Sequence, residues 1–162
     1  PWSVLAEGIS KNSKLSIGAA TFLVSVSVLF LWIFLKQKPG LGTIFNIIII
    51  SGMIDVTLNF FDPPSSSMLK YLLAIFSVIL VGIGSGIYLV ANLGPGPRDG
   101  LMTGLTKITN LPIALVRACL EILVVIAGWY LGGTVGVGTL IFAFGIGPCV
   151  AFGLFIVNKI FS

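Results

Sequence analysis

Three ionisable side chains, Asp55, Arg117 and Glu121, interrupt stretches that are otherwise apolar. In the middle of a membrane helix each costs about 2.5–3.5 kcal/mol on insertion scales, so such groups face a helix-bundle interior or a water-filled cavity. Arg117 and Glu121 lie four apart, on one face of a helix, and can pair. Their chemistry is that of a site for a small polar solute or a cation; the plainer alternative is a structural ion pair with Asp55 near the interface. Arg98 and Asp99 open a short polar segment. There Asp99 could cap free N–H groups, and Arg98 could meet a lipid phosphate or an anionic solute. Asn46 adds a polar position to the Asp55 run.

Other chemistries lack their residues. The chain has no His and only two Cys, Cys119 and Cys149, both inside apolar runs. The usual zinc, copper and haem ligand sets are therefore missing, and no metal site or other cofactor is expected. Nothing places Asp55 beside Glu121 for acid/base work, and no Ser or Cys has a visible base, so an enzyme is not expected. The nine Lys and Arg give a net charge of +4 but never form the dense run that nucleic-acid binding needs.

The elements that must hold these residues follow from composition. Of 162 residues 57% are hydrophobic and 9% charged, too few charges for a water-facing surface. A membrane-spanning chain must be helical or a closed barrel, and barrel strands alternate apolar and polar residues. Here the apolar runs are continuous, so the reading is an all-α, polytopic transmembrane bundle whose main partner is the lipid bilayer. About five spans are visible: 15–35, 41–61, 71–93, 111–131 and 138–158. The first is a 21-residue run without a charge, enough to cross about 30 Å of hydrocarbon. Lys36 to Gly40, Asp62 to Ser67, Gly94 to Pro97 and Gly132-Gly133 break the runs. Segments 1–14 and 98–110 read as short amphipathic helices, either lying flat at the interface or dipping into the membrane. Gly82 and Gly86 form a GxxxG pair for close helix approach. Gly145 and Gly147 also read as packing positions, and Pro148 beside them should bend the last helix.

A shift of 96 residues aligns Pro1 with Pro97, Leu5 with Leu101, Gly8 with Gly104, Lys11 with Lys107 and Leu15 with Leu111. The same shift places Gly40, Gly42 and Thr43 on Gly136, Gly138 and Thr139. An internal duplication explains a shared offset over such a length. The first repeat is 1–61 and the second 62–162. Span 71–93 has no counterpart before Pro1, which predicts an additional N-terminal span of roughly 25–30 residues in the natural protein, six in all, at 1.5 Å per residue across the bilayer. Three crossings per copy make an inverted-topology repeat of the kind found in secondary transporters. Asp55, Arg117 and Glu121 align with Ala151, Thr21 and Ser25, so the charges differ between the halves.

The segments Gly94-Pro-Gly-Pro97-Arg98-Asp99-Gly-Leu-Met-Thr-Gly104, Pro39-Gly-Leu-Gly-Thr43 with Asn46, and Gly132-Gly-Thr-Val-Gly-Val-Gly-Thr139 resemble the YczE/YitT-like family of bacterial inner-membrane proteins. Where that family often begins its first copy with Pro-Trp-Asp, this chain has Pro1-Trp2-Ser3. The resemblance implies a multi-span, internally duplicated membrane protein and assigns no residue a role. Five flanking basic residues (Lys36, Lys38, Arg98, Lys107, Lys159) against three (Lys11, Lys14, Lys70) place the first group and the C-terminus in the cytoplasm. Two functions fit: a small-solute transporter or exporter, or a non-transporting assembly factor or subunit that packs through its glycine faces.

Overall fold

The computed structural model describes residues 1–91 and 93–161, with the backbone alone for residues 113, 114, 154, 158, 160 and 161. Its elements are α1 (Trp2–Asn12), α2 (Ile17–Phe34), α3 (Leu41–Phe60), α4 (Ser67–Val90), α5 (Pro97–Thr109), α6 (Ile113–Tyr130) and α7 (Val137–Phe161), with no strand among the described residues. The fold is all-α. Helices α2, α3, α4 and α7 are long and apolar enough to cross a membrane; α6 matches α2 in length and carries Arg117 and Glu121. Phe30, Ile33, Phe34, Ile48, Phe76 and Phe144 point outward. Such a surface would be an aggregation hazard in water and is ordinary against lipid tails.

The helix ends have local causes. Ser16 caps α2 by accepting a hydrogen bond from the Ala19 N–H at 3.0 Å. At the other end Lys36 is left-handed (φ 53°) and the Gln37 N–H reaches the Trp32 carbonyl at 3.1 Å, a Schellman closure. Pro97 sits in the first turn of α5, where its missing N–H costs nothing. Helix α7 continues through Pro148.

These details recur at the 96-residue offset. Helices α2 and α6 begin and end at equivalent positions, and α3 and α7 begin at equivalent positions. Gly132 (φ 88°) stands where Lys36 does, and Gly133 N–H reaches the Gly128 carbonyl at 2.8 Å as Gln37 does Trp32. Ser13 and Thr109 hydroxyls donate to the carbonyls of Ile9 and Leu105, each at 2.8 Å. Thr43 and Thr139 accept from the N–H groups of Gly40 and Gly136.

The chain forms two compact units, Pro1–Phe60 with Gly94–Val135, and Phe61–Leu93 with Gly136–Ser162. In the first, α1 packs on α6 and α2, α5 on α2 and α6, and α3 on α2. Its core gathers Trp2, Val24, Val28, Trp32 and Leu101, flanked by Leu5, Ile9, Leu105, Leu120 and Val124. Four pairs of repeat equivalents are in that set: Leu5 with Leu101, Ile9 with Leu105, Val24 with Leu120, and Val28 with Val124. One recurring contact has its sizes reversed. The fully buried Trp32 ring lies on Gly100 and its indole N–H donates to the Pro97 carbonyl at 3.0 Å. The equivalent pair is Gly128 against Val4 and Leu5, backbone to backbone. The second unit is the pair α4 and α7. A Cβ on Gly82 would strike Cys149, and one on Gly153 would lie 2.8 Å from the Gly82 carbonyl.

Candidate functional site

Glu121 lies near the midpoint of α6, about 13 Å from its C-terminal end at 1.5 Å per residue. It is 8% exposed, and its Oε2 has no hydrogen-bond partner among the described residues. The carboxylate faces the Trp2 indole N–H, and the guanidinium groups of Arg117 and Arg98 act on it electrostatically. Arg117, half-buried, is one turn away on the same helix. Arg98 lies over the Trp2 ring, its Cζ 5.0 Å from the centroid, a cation–π contact of about 0.5–2 kcal/mol.

Trp2 and Arg98 are repeat equivalents. The two equivalent positions thus touch each other within the first unit. The first turns of α1 and α5 meet there. From it α1 runs along α6 toward that helix's C-terminal turn, with Gly8 against Gly128 and Leu131. Helix α5 runs past Trp32 toward the end of α2, with Gly104 against Leu35 and Gln37. The short helices therefore cross the last turns of long ones. Their N-terminal ends, where the helix dipole is positive, converge near Glu121.

Hydrogen bonds to backbone and turns hold α1 and α5 in place. Asn12 donates to the carbonyls of Leu131 (2.6 Å) and Gly8 (2.8 Å). Glu7 accepts from the Thr134 N–H (2.9 Å) and hydroxyl (2.7 Å) and pairs with Lys11 at 2.7 Å; Lys11 also donates to the Gly132 carbonyl at 2.9 Å. Burial pushes the Glu7 carboxyl up, but the hydrogen bonds from Lys11 and Thr134 outweigh it and hold the group below the ordinary glutamate range. On the other side, the Thr43 hydroxyl donates to the Pro95 carbonyl at 2.7 Å, and Gly94 (φ 108°) lies so close to Gly40 that no side chain would fit. This fixes the entry to α5.

Of the residues singled out above, Arg98, Arg117 and Glu121 come together. Asp55 is elsewhere: its carboxylate accepts from the Ser16 hydroxyl at 2.5 Å and the Gly18 N–H at 2.7 Å, capping the start of α2 from α3. Gly18 is what lets α3 approach, since a Cβ there would run into Ser51 and Asp55. Asp99 lies half-buried in the first turn of α5, whose N-cap is Gly96, and Asn46 is half-buried on α3. Gly82 and Gly86 are buried on α4, and a Cβ on Gly145 would lie 3.0 Å from Val78. Gly147 is not part of that seam; a Cβ there would meet nothing within 4 Å. Sequence reasoning missed Trp2, whose signal was an aromatic residue at the start of a Pro-bounded amphipathic helix. It also missed the Glu7 clasp, visible only as a Glu–Lys pair four apart. Among the described residues no group of three His, Cys, Asp or Glu side chains is placed to hold a metal.

The chain is similar to uncharacterized bacterial proteins. The chain is 41% identical over 160 residues to an uncharacterized protein of Haemophilus influenzae, covering 99% of this chain and 73% of that protein. It is 31% identical over 157 residues to the uncharacterized membrane protein YczE of Bacillus subtilis, covering 95% and 72%. A second Bacillus subtilis protein, the uncharacterized YyaS, is 29% identical over 150 residues, covering 87% and 72%. No solved structure matches. The resemblance to YczE-like proteins is thus shown, and a family model matches residues 1–154. The chain is a membrane protein belonging to the family of unknown function DUF6198.

Proposed function

We propose that the protein is a multi-pass transporter or exporter of a small polar solute, built from two inverted copies in the bacterial inner membrane with its C-terminus in the cytoplasm. The observation that carries this reading is the buried Glu121, Arg117 and Arg98 cluster at the meeting point of repeat equivalents. Three ionisable groups in an apolar core cost stability, and packing alone would be served better by Leu or Met. The α1 and α5 N-termini that converge on it act as two half-helices, each packed against the last turn of a long helix, with the Trp2 side chain reaching inward to Glu121. Half-helix ends at a repeat interface are where inverted-repeat transporters hold solutes. The unpartnered Glu121 oxygen accepts hydrogen bonds or a positive charge, and the two guanidinium groups receive an acidic group. The site binds and releases without covalent chemistry, since no nucleophile belongs to it. The assembly-factor reading has less support, because Gly82, the residue on which a partner helix would seat, is already filled by α7.

The test is thermal stability of the protein in nanodiscs against amino acids, sugars, organic anions and organic cations at two pH values. A solute at 100 times its Kd stabilises by about 2.7 kcal/mol. One class is expected to raise the melting temperature of the wild type and of Asp55→Asn, and to fail with Glu121→Gln. Stabilisation that survives Glu121→Gln would remove the cluster from the function.

A further inference from the structure

We infer that the outward face of α3 at Ile49, Met53 and Thr57 is the seat of a transmembrane helix that precedes Pro1 in the full-length protein and packs on α3 as α4 packs on α7. The argument starts in the second unit. There Gly145 meets Val78, and Cys149 and Gly153 meet Gly82. The 96-residue offset turns Gly145, Cys149 and Gly153 into Ile49, Met53 and Thr57. These three residues are exposed, Ile49 to 57% and Met53 to 55%.

Exposure alone does not make the case, because lipid tails suit Ile and Met as well as another helix does. Two further observations do. The face is concave: Met53 and Thr57 line an open groove of about 480 Å³, together with Ser3, Glu7, Ile17 and Ile54. The Ser3 and Thr57 hydroxyls on its wall suit a protein neighbour better than acyl chains; the Glu7 carboxylate there is already held by Thr134 and Lys11. In addition, the copies agree down to single hydrogen bonds at their turns, so an unshared helix would be the one large departure from the recurrence. The relatives have the length for it, since the 160 matched residues are 73% of the Haemophilus influenzae protein. With α4 spanning Ser67–Val90, the offset puts the new helix on the seventh to thirtieth residues upstream of Pro1, and the equivalent of Gly82 on the fifteenth.

The experiment is cysteine crosslinking in the full-length protein in nanodiscs, with Cys119→Ser and Cys149→Ser as background. Met53→Cys is paired with single cysteines scanned over two turns about the fifteenth upstream residue, and Ile49→Cys is a second probe. Each variant is first checked for wild-type melting. The expected result is an intramolecular disulfide, identified by mass spectrometry, recurring every three or four residues and strongest at that position. A dimer-sized product from Met53→Cys alone would give the face to a second copy. Absence of crosslinks, with quenching of a Met53→Trp variant by brominated lipid, would give it to the bilayer. Either of these outcomes overturns the inference.

Discussion

Exchanging the sizes of one recurring contact tests whether the copies are energetically, as well as geometrically, the same. Trp32 on Gly100 and Gly128 against Val4 are one contact under the offset, with bulk on opposite helices. Gly100→Val alone forces a branched side chain into the Trp32 ring, an overpacking that costs about 1–3 kcal/mol. Trp32→Gly alone leaves a ring-sized void for about 3–5 kcal/mol. It also loses the bond to Pro97, about 1 kcal/mol. Additivity would put the double variant near the sum, about 5–9 kcal/mol. The structure predicts otherwise, because combining Gly100→Val with Trp32→Gly reproduces the Val4–Gly128 pairing of the other half. The clash term vanishes, part of the void is filled, and the double variant should be more stable than Trp32→Gly alone, a favourable coupling of about 2–3 kcal/mol. The assay is a double-mutant cycle from reversible unfolding in mixed micelles, with melting order as a check. Additive losses would refute the equivalence of the two contacts.

Two further outcomes are expected. Asp55→Asn removes the charge that caps α2 and should cost about 0.5–2 kcal/mol of stability, with Ser16→Ala adding little beyond it because both act through one cap; independent, fully additive effects would argue against that cap. Glu7 is held below the ordinary glutamate range, so the stability it contributes is complete above the unfolded value, about 4.3, and is lost as pH falls through the lower folded value. Melting temperatures of the wild type should therefore drop toward those of Glu7→Gln between about pH 5 and 3, and parallel curves would contradict the clasp to Thr134.

The long helices are readable because continuous apolar runs need only length and breakers to be bounded: 41–61 corresponds to Leu41–Phe60 and 15–35 to Ile17–Phe34. Arg117 and Glu121 share α6 four residues apart, as their spacing in one apolar run requires. The place of Asp55 is not readable in that way. A carboxylate in a span advertises a polar neighbour without naming it, and its partners Ser16 and Gly18 lie 39 and 37 residues back. Trp2 escapes notice because its importance arises from Arg98, a contact set by the arrangement of four helices. Glu7 and Thr134 are 127 residues apart, and nothing local in either segment points to the other. Gly147 shows the converse limit: small size permits close packing, but whether a helix turns that face toward its neighbour depends on phase, and here it does not.

The meeting of Trp2 with Arg98 also bears on what joining two copies in one chain makes available. In an assembly of identical subunits, a residue on the dyad meets only itself: indole on indole, or guanidinium against guanidinium with mutual repulsion. A cation laid over a ring requires the two positions to differ, and they can differ only when each copy is encoded separately. The same freedom allows Glu121 at the position equivalent to Ser25, and Arg117 at that equivalent to Thr21, in a framework whose turns remain alike. Separate encoding thus lets a contact between equivalent positions carry a polarity that identical residues there could not.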